Sequence, residues 1–391
     1  MSEAREVVRL LEAEMRLPSD VPGRRTDVEL GELLREKRTS LKALVDTLRS
    51  EHPDFMPKGL DLPGILGLIP VGGVLVAPLV TSKGSAVFVI PYGADSVESD
   101  HVVMLDSLTE DKVLELLQGL ADDKECSGWM GAYFALLSDG GKAAMEQWLD
   151  VIEATTRRLW TMLMGPVHRK LQDLKLTEAA PVILMPQGYL GLLPLHATWR
   201  DMDDERRTFI DDYTVTYAPS AYSLSISKGR MQDASRQKPS LLTVINPTED
   251  LPYTPVEGMA VASLFDPDDR EILSGNEATQ EMVVEKIPGW TYLHFSCHGF
   301  YNWQDVMNSG LVLANHDILT LSEIISGINL GTARLVTLSA CETGMTDIQQ
   351  SPDEFIGLPT GFLQAGAAGV ISTLWAVNDA ATSLLIKHFY R

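Results

Sequence analysis

Two stretches of sequence decide the fold of this chain: TYLHFSCHGFYN at residues 291–302 and RLVTLSACETGM at residues 334–345. Each starts as a run of apolar and β-branched residues, which is typical of a buried strand in a parallel sheet. The first run leads into His298-Gly299 and the second into Cys341-Glu342. Parallel strands end at one edge of a sheet, so the imidazole and the thiol can share a crevice if the strands are neighbours.

The sequence from residue 180 onward predicts an α/β fold, because short apolar runs alternate there with helical segments. The predicted strands are 182–185, 241–245, 291–296, 311–313, 335–339 and 369–374. The predicted helices are 256–264, 279–286, 320–326, 355–365 and 378–390. This alternation indicates a mostly parallel sheet with helices on both faces.

His298 and Cys341 suit nucleophilic catalysis. A free thiol has a pKa of about 8.5 and is only a few per cent thiolate at neutral pH, so it needs a base. The backbone N–H groups of Gly299 and Cys341 could form an oxyanion hole, and Gly344 would let the chain turn tightly after the thiol. In the alternative interpretation, the cysteine is a small core residue and the histidine a hydrogen-bonded structural one. Spacing alone leaves both interpretations open.

A metal site is another chemistry that this region offers, since His294, Cys297 and His298 are close in sequence. On a strand, the two histidines point to one face and Cys297 points to the other, so they form no compact set of ligands. We therefore expect no metal.

The sequence before residue 180 is of two kinds. Residues 3–16 and 27–50 have apolar positions at helical spacing, without a recognisable helical repeat. A mixed region comes next, in which Thr109 is placed to cap a helix and Gly165-Pro166 interrupts another. Its predicted strands are 74–78, 86–90 and 101–105, and its predicted helices are 109–120 and 142–173.

The chain is acidic. Of its 391 residues, 54 are Asp or Glu and 32 are Lys or Arg, which gives a net charge of −22. Residues 1–60 hold 12 acidic and 11 basic side chains, so nearly all of the excess lies in residues 61–391. This charge argues against duplex nucleic acid and against an anionic membrane surface as partners.

The sequence favours a cytoplasmic protein. Residues 1–17 mix both charges without the apolar core of a secretory signal. The longest uncharged stretch, 62–82, is rich in proline and glycine, which argues against a membrane span. The cysteines Cys126, Cys297 and Cys341 are an odd and sparse set, which fits a reducing compartment.

The two opening segments, in which Cys341 follows His298 by 43 positions, resemble the CHAT family of caspase-like cysteine proteases, which is related to separase. Three further segments are similar to this family: PQGYLGLLPLHA (186–197), YAPSAYSL (217–224) and GLPTGFLQAGAAGVISTLWAVND (357–379).

The resemblance implies three regions in this chain. Residues 176–391 would form the caspase-like core, with a mostly parallel sheet covered by helices on both faces. Residues 61–175 would form a preceding α/β region of pseudo-protease type, and residues 1–60 a helical segment.

The resemblance also implies a cysteine endopeptidase. Cys341 would be the nucleophile and His298 the acid–base that protonates the leaving amine, with an acyl-enzyme that water then hydrolyses. It requires no cofactor and no third catalytic carboxylate. His294 and Cys297 would then be scaffold residues.

The resemblance gives a hypothesis for specificity as well. In separases and their relatives an acidic residue after the Leu-Trp strand recognises a basic P1 side chain, and Asp379 stands at that position here. Asn378-Asp379 also suits the N-cap of the next helix. Trp375 either walls the same pocket or fills the core.

A protein substrate is expected, in a bacterial defence or cell-death pathway. CHAT modules commonly follow helical repeats that bind partners or regulators, and this sequence shows no such repeat. We therefore expect recognition by a regulatory partner, by the helices of residues 1–60 or by a missing repeat region. The chain stops inside a predicted helix where relatives usually continue, so we also expect a core truncated at its C-terminus. Two alternatives stay open: a catalytically silent CHAT-fold interaction module, and a thiol esterase that uses the same dyad.

Overall fold

In the computed structural model, the chain forms two compact units, Met1–Leu60 and Asp61–Arg391. The residues that the structure describes are 2–16, 21–51, 59–119, 128–203, 205–346 and 355–391. Cys126 of the sequence analysis lies outside these residues.

The first unit contains a pair of helices that bury their apolar stripes against each other. These are α1 (Ser2–Arg16) and α2 (Asp27–Glu51). Val8 and Leu11 of α1 pack on Leu30 and Leu34 of α2. Between the helices, the guanidinium of Arg24 donates to two backbone carbonyls at the end of α1, at 3.1 and 3.2 Å. Both helices predicted from the apolar spacing are confirmed.

The second unit is built from strands and helices that alternate along most of its length. Its strands are β1 (Val74–Thr81), β2 (Gly84–Pro91), β3 (Val102–Leu105), β4 (Pro181–Leu184), β5 (Trp199–Met202), β6 (Glu205–Thr208), β7 (Thr214–Tyr217), β8 (Leu241–Ile245), β9 (Arg270–Ser274), β10 (Tyr292–Ser296), β11 (His298–Phe300), β12 (Gly310–Val312), β13 (Ile318–Thr320), β14 (Leu335–Ser339) and β15 (Val370–Ile371). Its α-helices are α3 (Leu62–Leu66), α4 (Glu110–Gln118), α5 (Trp129–Asp139), α6 (Lys142–Leu159), α7 (Gly165–Asp173), α8 (Phe209–Asp212), α9 (Ala221–Ala234), α10 (Thr254–Ala262), α11 (Gln280–Lys286), α12 (Leu321–Gly327), α13 (Leu358–Ala365) and α14 (Asp379–Phe389).

One five-stranded sheet has the order β3-β2-β1-β4-β7. β1 and β2 form an antiparallel hairpin, whereas β4 pairs parallel with both β1 and β7. The sheet takes β1 to β3 from before residue 176 and β4 and β7 from after it. It therefore joins the two regions that the resemblance divides at that residue, and the division itself stays a prediction.

An aromatic core covers one face of this first sheet. Trp129 and Tyr133 of α5 and Trp148 of α6 are buried together with Val74 and Val87 of the sheet. The rings pack at angles to one another, with centroids 5.1 to 5.8 Å apart, the spacing at which aromatic pairs attract.

The other five-stranded sheet has the order β15-β14-β10-β8-β9, and all of its neighbouring strands are parallel. Helices lie on both of its faces. Phe295 packs with Phe362 of α13 on one face, and Leu241 packs with Val261 of α10 and Ile386 of α14 on the other. The α/β fold with a mostly parallel sheet is thus confirmed.

A small antiparallel sheet, β11-β12-β13, follows the carboxyl end of β10 in the second sheet. β10 ends at Ser296 and β11 begins at His298, so the segment 291–302 holds two strands. The predicted strand 311–313 belongs to this small sheet, and the predicted strand 182–185 belongs to the first sheet.

Several elements of the structure were not predicted from the sequence, among them α5, α9, β5, β6 and β9. Strand β9 was not predicted, because Arg270 and Glu271 interrupt its apolar run. The predicted break near Gly165-Pro166 is confirmed as a π-helical turn at Trp160–Met164, since proline has no N–H for the helical hydrogen bond. Among the helices of the described residues, none is both long and apolar enough to cross a bilayer.

Candidate active site

Strand register brings His298 and Cys341 to the same edge of the second sheet. β10 and β14 are parallel neighbours, and Ser296 is paired with Ser339. His298 and Cys341 each come two residues after that pair, so both leave the sheet at its carboxyl edge. The condition left open by the sequence, that the two strands be neighbours, is met.

Gly299 brings the backbones of the two segments into contact. A Cβ atom at this position would lie 2.1 Å from the carbonyl oxygen of Cys341 and 3.0 Å from the Cγ2 of Thr343. Since real Cβ atoms do not approach backbone oxygen so closely, only glycine fits here. The oxyanion-hole role given to its N–H stays a prediction.

His298 is held by a carboxylate that the sequence analysis did not find. Its Nε2 lies 2.9 Å from Oδ1 of Asp250, in a loop that follows β8 at the same edge of the sheet. Hydrogen bonds from Thr248 and from His298 keep the pKa of the Asp250 carboxyl below its usual value. Asp250 is therefore ionised and can orient the imidazole.

The thiol of Cys341 is half-buried and protonated at neutral pH. Burial is the main cause that raises its pKa, a hydrogen bond to the Val377 carbonyl opposes it, and the carboxylates of Glu342 and Asp379 raise it further. The Sγ to Val377 oxygen distance is 3.9 Å. The structure thus holds a neutral thiol that needs a base to react.

His298 has one ring nitrogen left for that task. Its Nε2 contacts Asp250, so Nδ1 is the nitrogen that can accept a proton. In the described part of the chain, the thiol bonds to Val377 and the imidazole to Asp250, and the two do not bond to each other. Such catalytic contacts often tighten only when substrate is bound.

The turn after Cys341 corrects one expectation. The residue in the left-handed region is Glu342, with a φ of 59°, whereas Gly344 is not in that region. Gly344 serves a close approach instead: its N–H donates to the Thr373 carbonyl at 2.6 Å, and a Cβ would lie 2.9 Å from that oxygen. Glycine at position 344 thus lets the turn pack closely against the segment after β15.

Of the two roles considered for Asn378 and Asp379, the structure shows the N-cap. Asn378 is the N-cap of α14, and its side chain accepts from the Ala381 N–H at 3.1 Å. Asp379 is half-buried, and its Oδ2 accepts from the Tyr253 N–H at 2.9 Å. It lies close enough to Cys341 to affect the pKa of the thiol. Its substrate-binding role stays a prediction.

Trp375 packs against the aromatic core. Its ring meets Trp148 edge-on, with centroids 5.7 Å apart. This contact is the core-filling role considered for Trp375, and a part in the substrate pocket stays a prediction.

His294 and Cys297 lie inside the fold, on opposite faces of the segment that contains β10. Cys297 is 3% exposed, and burial raises the pKa of its thiol to about 12. The Nε2 of His294 is 3.0 Å from Oε1 of Glu257, and both side chains are buried. Neither residue reaches the surface where a substrate would bind.

The parallel sheet, its helices and the His–Cys edge define a caspase-like α/β protein. The sequence model of the CHAT domain family matches residues 153–391. Since that is more than half of the chain, the protein belongs to the CHAT domain family, and the resemblance found in the sequence is confirmed. Among curated proteins, none matches this chain as a relative.

Proposed function

We propose that this protein is a cysteine endopeptidase that uses Cys341 and His298. The observation that carries the proposal is the register of β10 and β14 together with the contact of Gly299 on the Cys341 backbone. If Cys341 and His298 had only structural roles, their half-exposed side chains would not have to lie at the same edge of the sheet.

The proposed reaction starts from the neutral thiol. His298 Nδ1 takes the Cys341 proton as the sulfur attacks the peptide carbonyl carbon, and the imidazolium then protonates the leaving amine. Water attacks the acyl-enzyme and gives its proton to His298, which returns it to sulfur as the acid product leaves. Asp250 stabilises the imidazolium in both halves of the cycle.

The charge of the site favours a basic substrate. Glu342, Asp379 and Asp250 all carry carboxylates near the thiol or the imidazole. A lysine or arginine side chain at P1 would pair with such a carboxylate, and Asp379 is the proposed partner. Equal cleavage of basic and neutral P1 peptides, unchanged in Asp379→Ala, would contradict this. The protein substrate, a cytoplasmic location and a role in defence stay predictions.

A peptide probe with a thiol-reactive group tests the proposal. Labelling is expected in the wild type and in Cys297→Ala, and it is expected to vanish in Cys341→Ala. Mapping of new protein termini in cells with wild type and with Cys341→Ala would then give the substrate and its P1 residue. Labelling of Cys341 without any new termini would favour the esterase alternative, and no labelling at all would favour the interaction module.

A further inference from the structure

One buried hydroxyl joins the two segments that flank the Cys341 thiol. Tyr133 of α5 donates from its hydroxyl to Oε1 of Glu342 at 2.5 Å. The hydroxyl oxygen of Tyr133 also accepts from the Ala376 N–H at 2.9 Å. Tyr133 is 209 positions from Glu342 and 243 from Ala376 in sequence, so these contacts exist only through the tertiary fold.

Both partners of Tyr133 are close in sequence to the thiol or to a group that contacts it. Glu342 follows Cys341 directly and has the strained left-handed backbone of the turn. Ala376 precedes Val377, whose carbonyl faces the Cys341 sulfur at 3.9 Å. A shift of either segment would therefore move the sulfur or its surroundings.

The Tyr133 ring is held firmly enough to fix these contacts. The residue is 0% exposed, and its ring packs on Trp129 and Trp148 with centroids 5.8 and 5.1 Å away. Trp148 also packs on Trp375, which precedes Ala376. Tyr133 lies outside residues 153–391, so this support comes from a part of the chain that the family model does not match.

We propose that Tyr133 is a positioning residue for Cys341, which holds the Glu342 carboxylate and the Ala376 backbone in place around the thiol. This role of Tyr133 in catalysis rests on the proposed peptidase function. Burial and the hydrogen bond to Glu342 raise the pKa of Tyr133, so the hydroxyl keeps its proton and remains a donor. The donated hydrogen bond offsets part of the negative charge beside the sulfur.

Tyr133→Phe tests the proposal because it removes the hydroxyl and keeps the ring. Tyr213→Phe is the matched control, since it removes another buried hydroxyl of the same unit, one that faces His168. The first readout is iodoacetamide alkylation of Cys341 in the whole chain, followed by mass spectrometry across pH. It needs no substrate, so it reports on Tyr133 even if no peptide is cleaved.

In Tyr133→Phe we expect alkylation at pH 8 to slow about threefold relative to the control, a shift of about half a pH unit. Peptide turnover is expected to fall about tenfold in kcat, with KM changed less than about twofold. If Tyr133→Phe and Tyr213→Phe give the same alkylation profile and the same kcat, the proposal is wrong.

Changes at Glu342 give a second test if Tyr133→Phe does not fold. Glu342→Gln keeps an oxygen that accepts from Tyr133 and removes the charge, so alkylation should shift to lower pH and kcat should fall much less than in Glu342→Ala. Glu342→Ala removes the acceptor and should lower kcat about tenfold. Equal kcat in these two variants would overturn the proposal. If the variants shift the alkylation of Cys341 as expected but the wild type cleaves no peptide, only the peptidase function is contradicted.

Discussion

The two five-stranded sheets of residues 61–391 share a physical arrangement but differ in the side chains at the carboxyl ends of their strands. In both, parallel neighbours end at a common edge. In the first sheet, β4 and β7 run into Met185-Pro186-Gln187 and Ala218-Pro219-Ser220, which have no titratable side chain. In the second, β8 and β14 run into a loop with Asp250 and a turn with Cys341, and β10 is followed by His298 at the start of β11.

A parallel sheet provides a place for chemistry at this edge, and the residues that follow its strands decide which chemistry is possible there. The first sheet contributes support instead, through the aromatic core that packs against it and through Tyr133. Four substitutions test this division of roles.

The largest effect is expected from Cys341→Ala. Peptide cleavage should fall by about 10⁴-fold or more, because the proposed reaction depends on the thiol as its nucleophile. Gln187→Ala, at the corresponding edge of the first sheet, is exposed and should leave the rate unchanged. Initial rates on a set of fluorogenic basic-P1 peptides measure both. Cleavage by Cys341→Ala at the wild-type rate would refute the assignment.

A second large effect is expected from Gly299→Ala. The added Cβ meets the Cys341 carbonyl oxygen at 2.1 Å, so β11 and the turn must separate. We expect about a 100-fold loss of activity and about 1–3 kcal/mol lower free energy of unfolding.

Gly229→Ala is the control for that change. Gly229 lies in α9, which follows β7 of the first sheet, and an added Cβ meets no atom of the described residues within 4 Å. Its unfolding free energy should rise by up to about 1 kcal/mol, because alanine is the better helix former. Equal behaviour of the two variants in urea unfolding and in activity would disprove the close contact at 299.

A smaller effect is expected from Asp250→Ala. The Asp250–His298 pair is more than a third exposed, with the His298 side chain 38% and the Asp250 side chain 60% accessible, so water screens it. We expect kcat to fall about tenfold while KM stays within about twofold, since the change affects the orientation of the imidazole. Asp268→Ala makes the same charge change at the exposed opposite end of this sheet and should have no effect. A large rise in KM in Asp250→Ala would instead indicate a role in substrate binding.

The smallest effect is expected from Asp379→Asn on the titration of the thiol. Burial and two carboxylates hold the pKa of Cys341 above its ordinary value, so the thiolate fraction is low at pH 7 and rises with pH. Alkylation of Cys341 should thus rise about tenfold per pH unit from about pH 7 to 9 without a plateau.

Removal of the Asp379 charge should move that curve to lower pH and speed alkylation at pH 8 about two- to threefold. Cys297 is buried and serves as the internal control, because it should stay unmodified throughout. A plateau below pH 8 in the wild type would mean that the resting protein already holds a thiolate.

Much of the second sheet was predictable because its strands are nearly continuous apolar runs. Strand β8 has the predicted bounds, and β10 and β14 differ from them by at most one residue. Strand β9 was missed because the charged residues Arg270 and Glu271 interrupt its apolar run. The membership of β4 in the first sheet was also missed, since an apolar run shows that a strand is buried but not which strand lies beside it.

The fold class, the family and the placement of His298 and Cys341 after two buried strands follow from the sequence alone. They do so because hydrophobic periodicity and residue type are local properties of a chain. Three features are visible only in the folded protein: these strands are neighbours in register, Asp250 holds His298, and Tyr133 reaches Glu342. Those contacts join residues from 43 to 209 positions apart, and the last two involve single polar side chains in loops, on a helix or at the start of β11. One polar side chain leaves no periodic trace in a sequence, so its partner is set only when the whole core has packed.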